Sequence, residues 1–188
     1  MLNKQKTATK ALFLDRDGVI NVNHGYIFEK EKFDFIDGIF ELCLEARQAG
    51  YMIIVVTNQS GIARQYYDQA AFKTLTRWVT QQFWQRGIKL QATFHCPHHP
   101  KHSFSCTCRK PKAGMIFKAA KRYKIDLQNS IMIGDSLSDM KCAQRANIGT
   151  RVLFDPELAR IKGSCHQSKL KPYYQARTLS SIKTLLQP

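Results

Sequence analysis

The chain has 188 residues, of which 44% are hydrophobic and 23% charged, a composition typical of one globular domain that can bury a hydrophobic core. Its longest apolar run, residues 51–56, is too short to cross a membrane, and the polar residues 1–10 do not resemble a secretory signal, so we expect a cytoplasmic protein with no membrane partner. The formal net charge of +15 permits an anionic small substrate or a nucleic acid as the partner.

The first predicted strand carries the most informative residues. Residues 1–10 are predicted to be a disordered lead, and the apolar run Ala11–Leu14 predicts a buried strand. Asp15 and Asp17 follow it, and because strand side chains alternate, two acids at this spacing can face the same side. Gly18 then permits a sharp turn. The pattern suits a carboxylate nucleophile beside a proton-transferring carboxyl, and it also suits an ordinary acidic turn.

Strands and helices alternate along the rest of the chain. The segment Asn21–Lys32 is predicted to be a long polar loop, and Asp37 and Asp68 are predicted to cap the helices that follow them. The further predicted strands are residues 51–57, 89–95, 130–134 and 151–154, and the predicted helices are residues 39–49, 68–86, 114–124, 138–146 and 180–186. This alternation predicts an α/β fold with a doubly wound parallel sheet, a core over about residues 11–154 and a basic segment over 155–188.

Several polar residues come where predicted strands end. In an open parallel sheet, ligands bind beyond the carboxyl ends of the strands. Asp15 and Asp17 follow the first strand, Thr57 ends the second, and Asp135 follows the strand that ends at Gly134. The fold is therefore expected to bring these distant residues onto one rim.

A cluster of cysteines and histidines lies between the third strand and the third helix. Its four candidate ligands are Cys96, His98, Cys106 and Cys108. Three thiolates and one imidazole suit a closed tetrahedral zinc site with a structural role. The competing ligands in the same stretch are His95, His99 and His102. Reduced thiols without a metal are the other interpretation.

Four segments, taken together, resemble the motifs of one family. DRDGVIN at residues 15–21, VVTNQSGIA at 55–63, CRKP at 108–111 and GDSLSD at 134–139 are similar to the four motifs of haloacid dehalogenase-type phosphotransferases, in the same order. HGYI at 24–27 and the C-x-H…C-x-C insertion resemble the histidinol-phosphatase-like subgroup. The resemblance implies a Rossmann-like core with small loop caps and a zinc-binding loop.

The resemblance also implies the roles of the acidic residues. Asp15 would attack phosphorus, and Asp17 would protonate the leaving oxygen and later activate water. Mg²⁺ would be held by Asp15, the main-chain carbonyl of Asp17, and Asp135. Asp139 would be an outer partner of that ion, although a solvated acid at a helix start is its other interpretation.

Further residues are implied to bind the substrate. Thr57, Asn58 and Lys110 would hold the phosphoryl oxygens, and Arg109 would fork onto substrate oxygens. The residues implied to contact the sugar are Asn23, His24, Gly25, Tyr26, Gln59 and Ser60. Packing within the loops is the alternative for this set. Val19 and Ser136 depart from the residues often found at their positions in the family.

The activity implied by the resemblance is a Mg²⁺-dependent phosphatase acting through an aspartyl phosphate on a small phosphorylated sugar. The expected substrate is the 7-phosphate of D-glycero-D-manno-heptose 1,7-bisphosphate, in the ADP-heptose route to the lipopolysaccharide core. The alternatives are a histidinol-phosphate phosphatase, a 3′-phosphatase of nucleic-acid ends, and a zinc-containing nucleic-acid-binding module. Because the sequence shows no aromatic stacking platform, we do not expect a nucleic-acid partner. We also expect a monomer.

Overall fold

A computed structural model describes residues 9–157, 170 and 173–186. The predicted disordered lead falls mainly on residues 1–8, which lie outside the described residues, and so do residues 158–169, 171–172 and 187–188 of the basic C-terminal segment. In the described part of the chain, no helix combines the length and the apolar character needed to cross a bilayer.

Six strands of the described residues form one parallel sheet. They are β1 (Ala11–Leu14), β2 (Met52–Asn58), β3 (Leu90–Cys96), β4 (Ile131–Gly134), β5 (Thr150–Phe154) and β6 (Tyr174–Ala176). Their spatial order is β3-β2-β1-β4-β5-β6, and every neighbouring pair is parallel. The strand that precedes Asp15 therefore lies inside the sheet, between β2 and β4, and the predicted parallel α/β architecture is confirmed.

Helices cover both faces of this sheet. They are α1 (Ile39–Gln48), α2 (Gln69–Gln85), α3 (Gly114–Tyr123) and α4 (Leu137–Arg145), with short 3₁₀ helices at Lys30–Lys32 and Ser180–Leu185. Leu12 and Leu14 of β1 pack into the core formed with α1 and α2, whereas Phe13 packs into the core formed with α3 and α4. Burial on both faces explains why β1 is apolar throughout instead of alternating.

Two local predictions differ from the structure. Asp37 does not cap α1: the N-cap is Gly38, whose φ of 80° is left-handed, and no side chain caps the helix there. The strand β6 was not predicted, because three residues from a polar stretch give no periodic signal, yet it pairs with β5 from Tyr174 to Ala176. Asp68 caps α2 as predicted, accepting a hydrogen bond of 2.7 Å from the Ala71 amide.

Candidate active site

The turn after β1 brings the first two acids against the end of β4. Gly18 has a φ of 86°, and a Cβ atom at this position would lie 2.2 Å from the Asp135 Oδ2 atom. Both the backbone conformation and the close approach therefore require glycine. As a result, Asp15 and Asp135 share one rim, as the positions of the strand ends predicted.

Lys110 is the cation of this rim, and its side chain is buried. The Lys110 Nζ atom lies 2.8 Å from Asp15 Oδ2 and 2.6 Å from Asp139 Oδ1, and it donates to the Val56 carbonyl at 3.0 Å. A buried ammonium needs such partners, since burial without them is costly. The side chain of Asn58 holds the Lys110 backbone from the end of β2: Oδ1 accepts from Lys110 N at 3.1 Å, and Nδ2 donates to Lys110 O at 3.2 Å.

The charged side chains at the rim shift one another's pKa values. The pKa of Asp15 is raised to about 7 in total: burial is the main cause, Lys110 opposes the shift, and the charges of Asp139 and Asp135 add to it. Burial alone would lower the pKa of Lys110, but Asp139 and Asp15 together raise it above its usual range. The site therefore keeps a permanent positive charge beside a carboxyl that titrates near neutrality.

Asp139 is not a solvated acid at a helix start, and that interpretation is wrong. Its side chain is fully buried in the first turn of α4, where it pairs with Lys110 and accepts a hydrogen bond from the Ser136 amide at 3.2 Å. Gly134 makes room for it, because a Cβ atom there would lie 2.2 Å from the Asp139 Cβ. Asp139 therefore orients Lys110 toward Asp15.

The Asp17 carboxylate is held by donors that the sequence did not indicate. Arg16 donates to Oδ1 through Nε at 3.1 Å and through Nη2 at 2.9 Å, and Asn21 Nδ2 donates to the same oxygen at 3.1 Å. Gln59 Nε2 donates to Oδ2 at 2.9 Å, and Tyr67 OH in turn donates to Gln59 Oε1 at 2.6 Å. Adjacent residues on a strand normally face opposite sides, so Arg16 carried no signal of this contact.

These groups surround a cavity of about 230 Å³ above the rim. Its walls are formed by Asp15, Asp17, Asn23, Gly25, Tyr26, Thr57, Asn58, Gln59, Ser60, Tyr67 and Asp135. Most of the predicted catalytic and sugar-contacting residues are thus together, and Tyr67 is an addition. We call this space the catalytic cavity.

Three predicted substrate residues, Lys110, His24 and Arg109, are not on the wall of the catalytic cavity, although the Lys110 ammonium lies 2.8 Å from Asp15 on that wall. His24 lines a neighbouring depression, where its Nε2 atom lies 2.9 Å from Asp34 Oδ2. Arg109 lines a separate cavity of about 370 Å³ and donates from Nη1 to the His98 carbonyl at 3.0 Å. Contacts from either side chain to a substrate remain predictions.

The predicted metal-binding cysteines and histidine converge in the segment that follows β3. Cys96 Sγ lies 3.7 Å from Cys106 Sγ and 3.2 Å from Cys108 Sγ, and His98 Nδ1 lies 3.5 Å from Cys96 Sγ and 3.4 Å from Cys108 Sγ. Tetrahedral zinc with zinc–sulfur bonds of about 2.3 Å separates its sulfur ligands by about 3.8 Å. The four residues therefore fit a zinc ion, and we call residues 97–109 the Cys/His loop.

The competing histidines have other partners. His95 Nε2 lies 2.8 Å from Gln69 Nε2 and 3.3 Å from its Oε1, His99 Nε2 lies 2.8 Å from Arg64 Nη2, and the His102 ring packs against His99 with centroids 4.8 Å apart. Of the histidines in this stretch, only His98 lies with the three sulfur atoms in the described part of the chain.

Comparison with known proteins identifies the family. A family model described as HAD-hydrolase-like matches residues 107–154. A D-glycero-beta-D-manno-heptose-1,7-bisphosphate 7-phosphatase from Photorhabdus laumondii is 47% identical over 148 residues, which cover 76% of this chain and 79% of the relative. The chain belongs to the haloacid dehalogenase-type (HAD) phosphatases. The family that the four motifs predicted is therefore confirmed.

Other HAD phosphatases are also similar. A D-glycero-alpha-D-manno-heptose-1,7-bisphosphate 7-phosphatase from Campylobacter jejuni is 48% identical over 149 residues, 79% of this chain and 84% of the relative. A solved D,D-heptose 1,7-bisphosphate phosphatase from B. bronchiseptica, complexed with magnesium and phosphate, has a TM-score of 0.81 at 29% identity and covers 95% of this chain and 98% of that one. The fold and the phosphatase class are thus shared.

The acidic residues at the rim also fit a hard divalent cation. Ligand oxygens of Asp15, Asp135 and Asp139 all lie within 4.8 Å of one another. Oxygen ligands from carboxylates are those that Mg²⁺ prefers. The better ligands are the side chains of Asp15 and Asp135, because both line the catalytic cavity, whereas Asp139 is fully buried and does not line it.

Proposed function

We propose that this HAD phosphatase removes the 7-phosphate of D-glycero-D-manno-heptose 1,7-bisphosphate, within ADP-heptose and lipopolysaccharide-core synthesis. The main support is the convergence of Asp15, Lys110 and Asp135 beneath a polar cavity, in a chain 47% identical to relatives named for this reaction. The relatives from Photorhabdus and Campylobacter are named for different anomers, so their names do not choose between the anomers.

The proposed chemistry has two displacements. A carboxylate oxygen of Asp15 forms a bond to phosphorus while the bond to the sugar oxygen breaks, and Asp17 gives that oxygen its proton. Asp17 then takes a proton from water, whose oxygen attacks phosphorus and releases phosphate from Asp15. Lys110 neutralises the oxygens of the transferring group throughout, and the Thr57 hydroxyl donates to one of them.

Two metal ions complete the proposal. Asp15, Asp135 and the main-chain carbonyl of Asp17 would hold Mg²⁺, which when bound supplies the positive charge that offsets repulsion between a carboxylate and a phosphate. The four ligands of the Cys/His cluster are Cys96, His98, Cys106 and Cys108. They would hold Zn²⁺ with no open position, so this ion would stabilise the Cys/His loop and would not take part in the reaction.

The proposal extends to the domain organisation of the chain, its location and its contacts with the sugar. Residues 1–188 would form a single phosphatase domain that works as a cytoplasmic monomer. The sugar would contact Asn23, Gly25, Tyr26, Gln59 and Ser60 in the catalytic cavity. Parts of the substrate that extend beyond this cavity would contact His24 and Arg109.

Substitution of the nucleophile tests the mechanism. Asp15→Asn should abolish phosphate release from every substrate while leaving the circular dichroism spectrum unchanged, because the amide cannot form the acyl phosphate. Phosphate release at the wild-type rate would contradict the covalent route.

A substrate panel tests the specificity. It compares kcat/KM for the α and β anomers of the heptose bisphosphate, histidinol phosphate and a 3′-phosphorylated oligonucleotide. We expect one heptose anomer to be preferred. A preference for histidinol phosphate or for the oligonucleotide would replace the proposed substrate with that alternative.

A further inference from the structure

Arg64 contacts three loops beside the catalytic cavity. Its Nη2 atom is 2.8 Å from His99 Nε2 in the Cys/His loop, and its guanidinium carbon is 5.9 Å from the ring centres of both Tyr26 and Tyr66. Its backbone amide donates to the Ser60 carbonyl at 3.1 Å. Tyr26 and Ser60 line the catalytic cavity and His99 lines the cavity beside it, so Arg64 stands between the two.

The guanidinium of Arg64 has unused hydrogen-bonding capacity. Its Nε atom is buried and, among the described residues, has no hydrogen-bond partner. No carboxylate of the described part of the chain lies within 4 Å of it, in contrast to Arg16, which is paired with Asp17. A buried donor without a partner is costly, and in native proteins such groups usually have a ligand or water to bind. The buried Nε atom is not open to a ligand, but of the two terminal nitrogens only Nη2 has a partner among the described residues, so Arg64 can offer a charged donor to an acceptor from outside the chain.

The backbone beside this group is strained. Tyr26 and Gln65 have φ values of 46° and 60°, in the left-handed region that residues with a Cβ atom rarely adopt. This conformation holds the Tyr26 ring edge-on against Tyr66, with 4.7 Å between centroids, beside the Arg64 guanidinium. Strain of this kind is found preferentially where a site must be held in shape for a ligand.

We infer that Arg64 binds the phosphate that the enzyme does not remove. This inference rests on the proposed bisphosphate substrate. The transferring phosphate must lie at the inner end of the cavity beside Asp15 and Lys110, and a seven-carbon bisphosphate carries its second phosphate at the opposite end, toward the mouth. A guanidinium suits that phosphate because its planar fork matches two phosphate oxygens. Arg64 would thus determine specificity for a doubly phosphorylated sugar.

The test compares a bisphosphate with a substrate that has only one phosphate. We would measure kcat/KM for the preferred heptose bisphosphate and for p-nitrophenyl phosphate in the wild type, Arg64→Gln, Arg64→Lys and a control, Arg77→Gln. Arg77 is an exposed residue of α2 with no role in the site. Arg64→Gln should lower the ratio of bisphosphate to p-nitrophenyl phosphate kcat/KM about tenfold to hundredfold. Arg64→Lys should lower it less, and Arg77→Gln should not change it.

Each outcome decides one claim. A wild type with no preference for the bisphosphate would overturn the proposed function. A wild type with that preference, retained in Arg64→Gln, would overturn only the role of Arg64. Equal losses on both substrates, or loss of bound zinc in Arg64→Gln, would show that Arg64 supports the loops and does not bind the second phosphate.

Discussion

The catalytic rim and the Cys/His loop position charged side chains in different ways. The rim residues Asp15 and Asp135 follow adjacent parallel strands, so backbone hydrogen bonds of the sheet set their separation. The Cys/His loop contains no helix or strand, and three of its side chains converge with Cys96 of β3. Nevertheless, the chain passes directly from this loop to Lys110, which contacts Asp15. The rim, which the sheet holds rigid, therefore depends on Lys110, a cation whose position is set partly by the Cys/His loop.

The largest expected effect comes from removing that cation. Lys110→Met keeps the length of the side chain but leaves the buried carboxylates of Asp15 and Asp139 without their counter-charge. Loss of a preorganised charge at a phosphoryl-transfer site should lower kcat about 10²–10³-fold. Steady-state kinetics with p-nitrophenyl phosphate would measure the loss.

The matched control is Lys118→Met, which neutralises an exposed lysine of α3. It should keep wild-type kinetics. If both variants lost the same activity, the effect would reflect the net charge of the protein and would contradict a specific role for Lys110 at the rim.

The second effect tests whether the loop depends on its metal ligands. Cys108→Ser removes one of four ligands, so we expect loss of bound zinc, measured by elemental analysis, and a fall in kcat of about 10–100-fold because Arg109 and Lys110 follow that ligand directly. His102→Gln, in the same loop but outside the cluster, should retain one zinc ion per chain. Full activity in a zinc-free Cys108→Ser protein would show that the position of Lys110 does not depend on the metal ligands of the loop.

The third effect concerns pH and arises in the rim only. Since burial raises the pKa of Asp15 from 3.8 to about 7, its stabilising effect on the metal-free fold is complete below about pH 4 and is lost as the pH rises through 7. The same proton competes with Mg²⁺, so the apparent Mg²⁺ dissociation constant should fall about tenfold between pH 6 and pH 8. Calorimetric titration would measure it, and a dissociation constant independent of pH would contradict a raised pKa.

The smallest expected effect lies outside both regions. Asp68→Ala removes the cap of α2 and should reduce the free energy of unfolding by about 1 kcal/mol without changing kcat. Urea denaturation and steady-state kinetics would measure the two quantities. A change in kcat would mean that the rim also depends on the first turn of α2.

The rim was predictable because sheet geometry forces distant residues together. Asp15 and Asp135 each follow an apolar strand, and parallel strands end on one edge whatever lies between them. The convergence of Cys96, Cys106 and Cys108 with His98 was predictable from their clustering in the sequence, because such sets of thiols and an imidazole are typical of metal sites.

Other features depend on contacts that no local pattern encodes. Arg16 is next to Asp17 in sequence, and no motif or periodicity indicated that its guanidinium would bind the Asp17 carboxylate. Arg64 gave no signal, because its position is set by three separate loops. The cap of α1 was assigned to Asp37 because acids favour that position, whereas the left-handed Gly38 begins the helix without a side-chain cap.

The reciprocal hydrogen bonds between Asn58 and the Lys110 backbone have an evolutionary consequence. They tie one end of the Cys/His loop to the end of β2, and Cys96, the last residue of β3, holds the other end. Insertions or deletions between these two attachment points that spare His98, Cys106 and Cys108 would reshape the loop without moving the ammonium group of Lys110. Homologues could therefore diverge in the molecules they accept while inheriting the same machinery for breaking the phosphate ester.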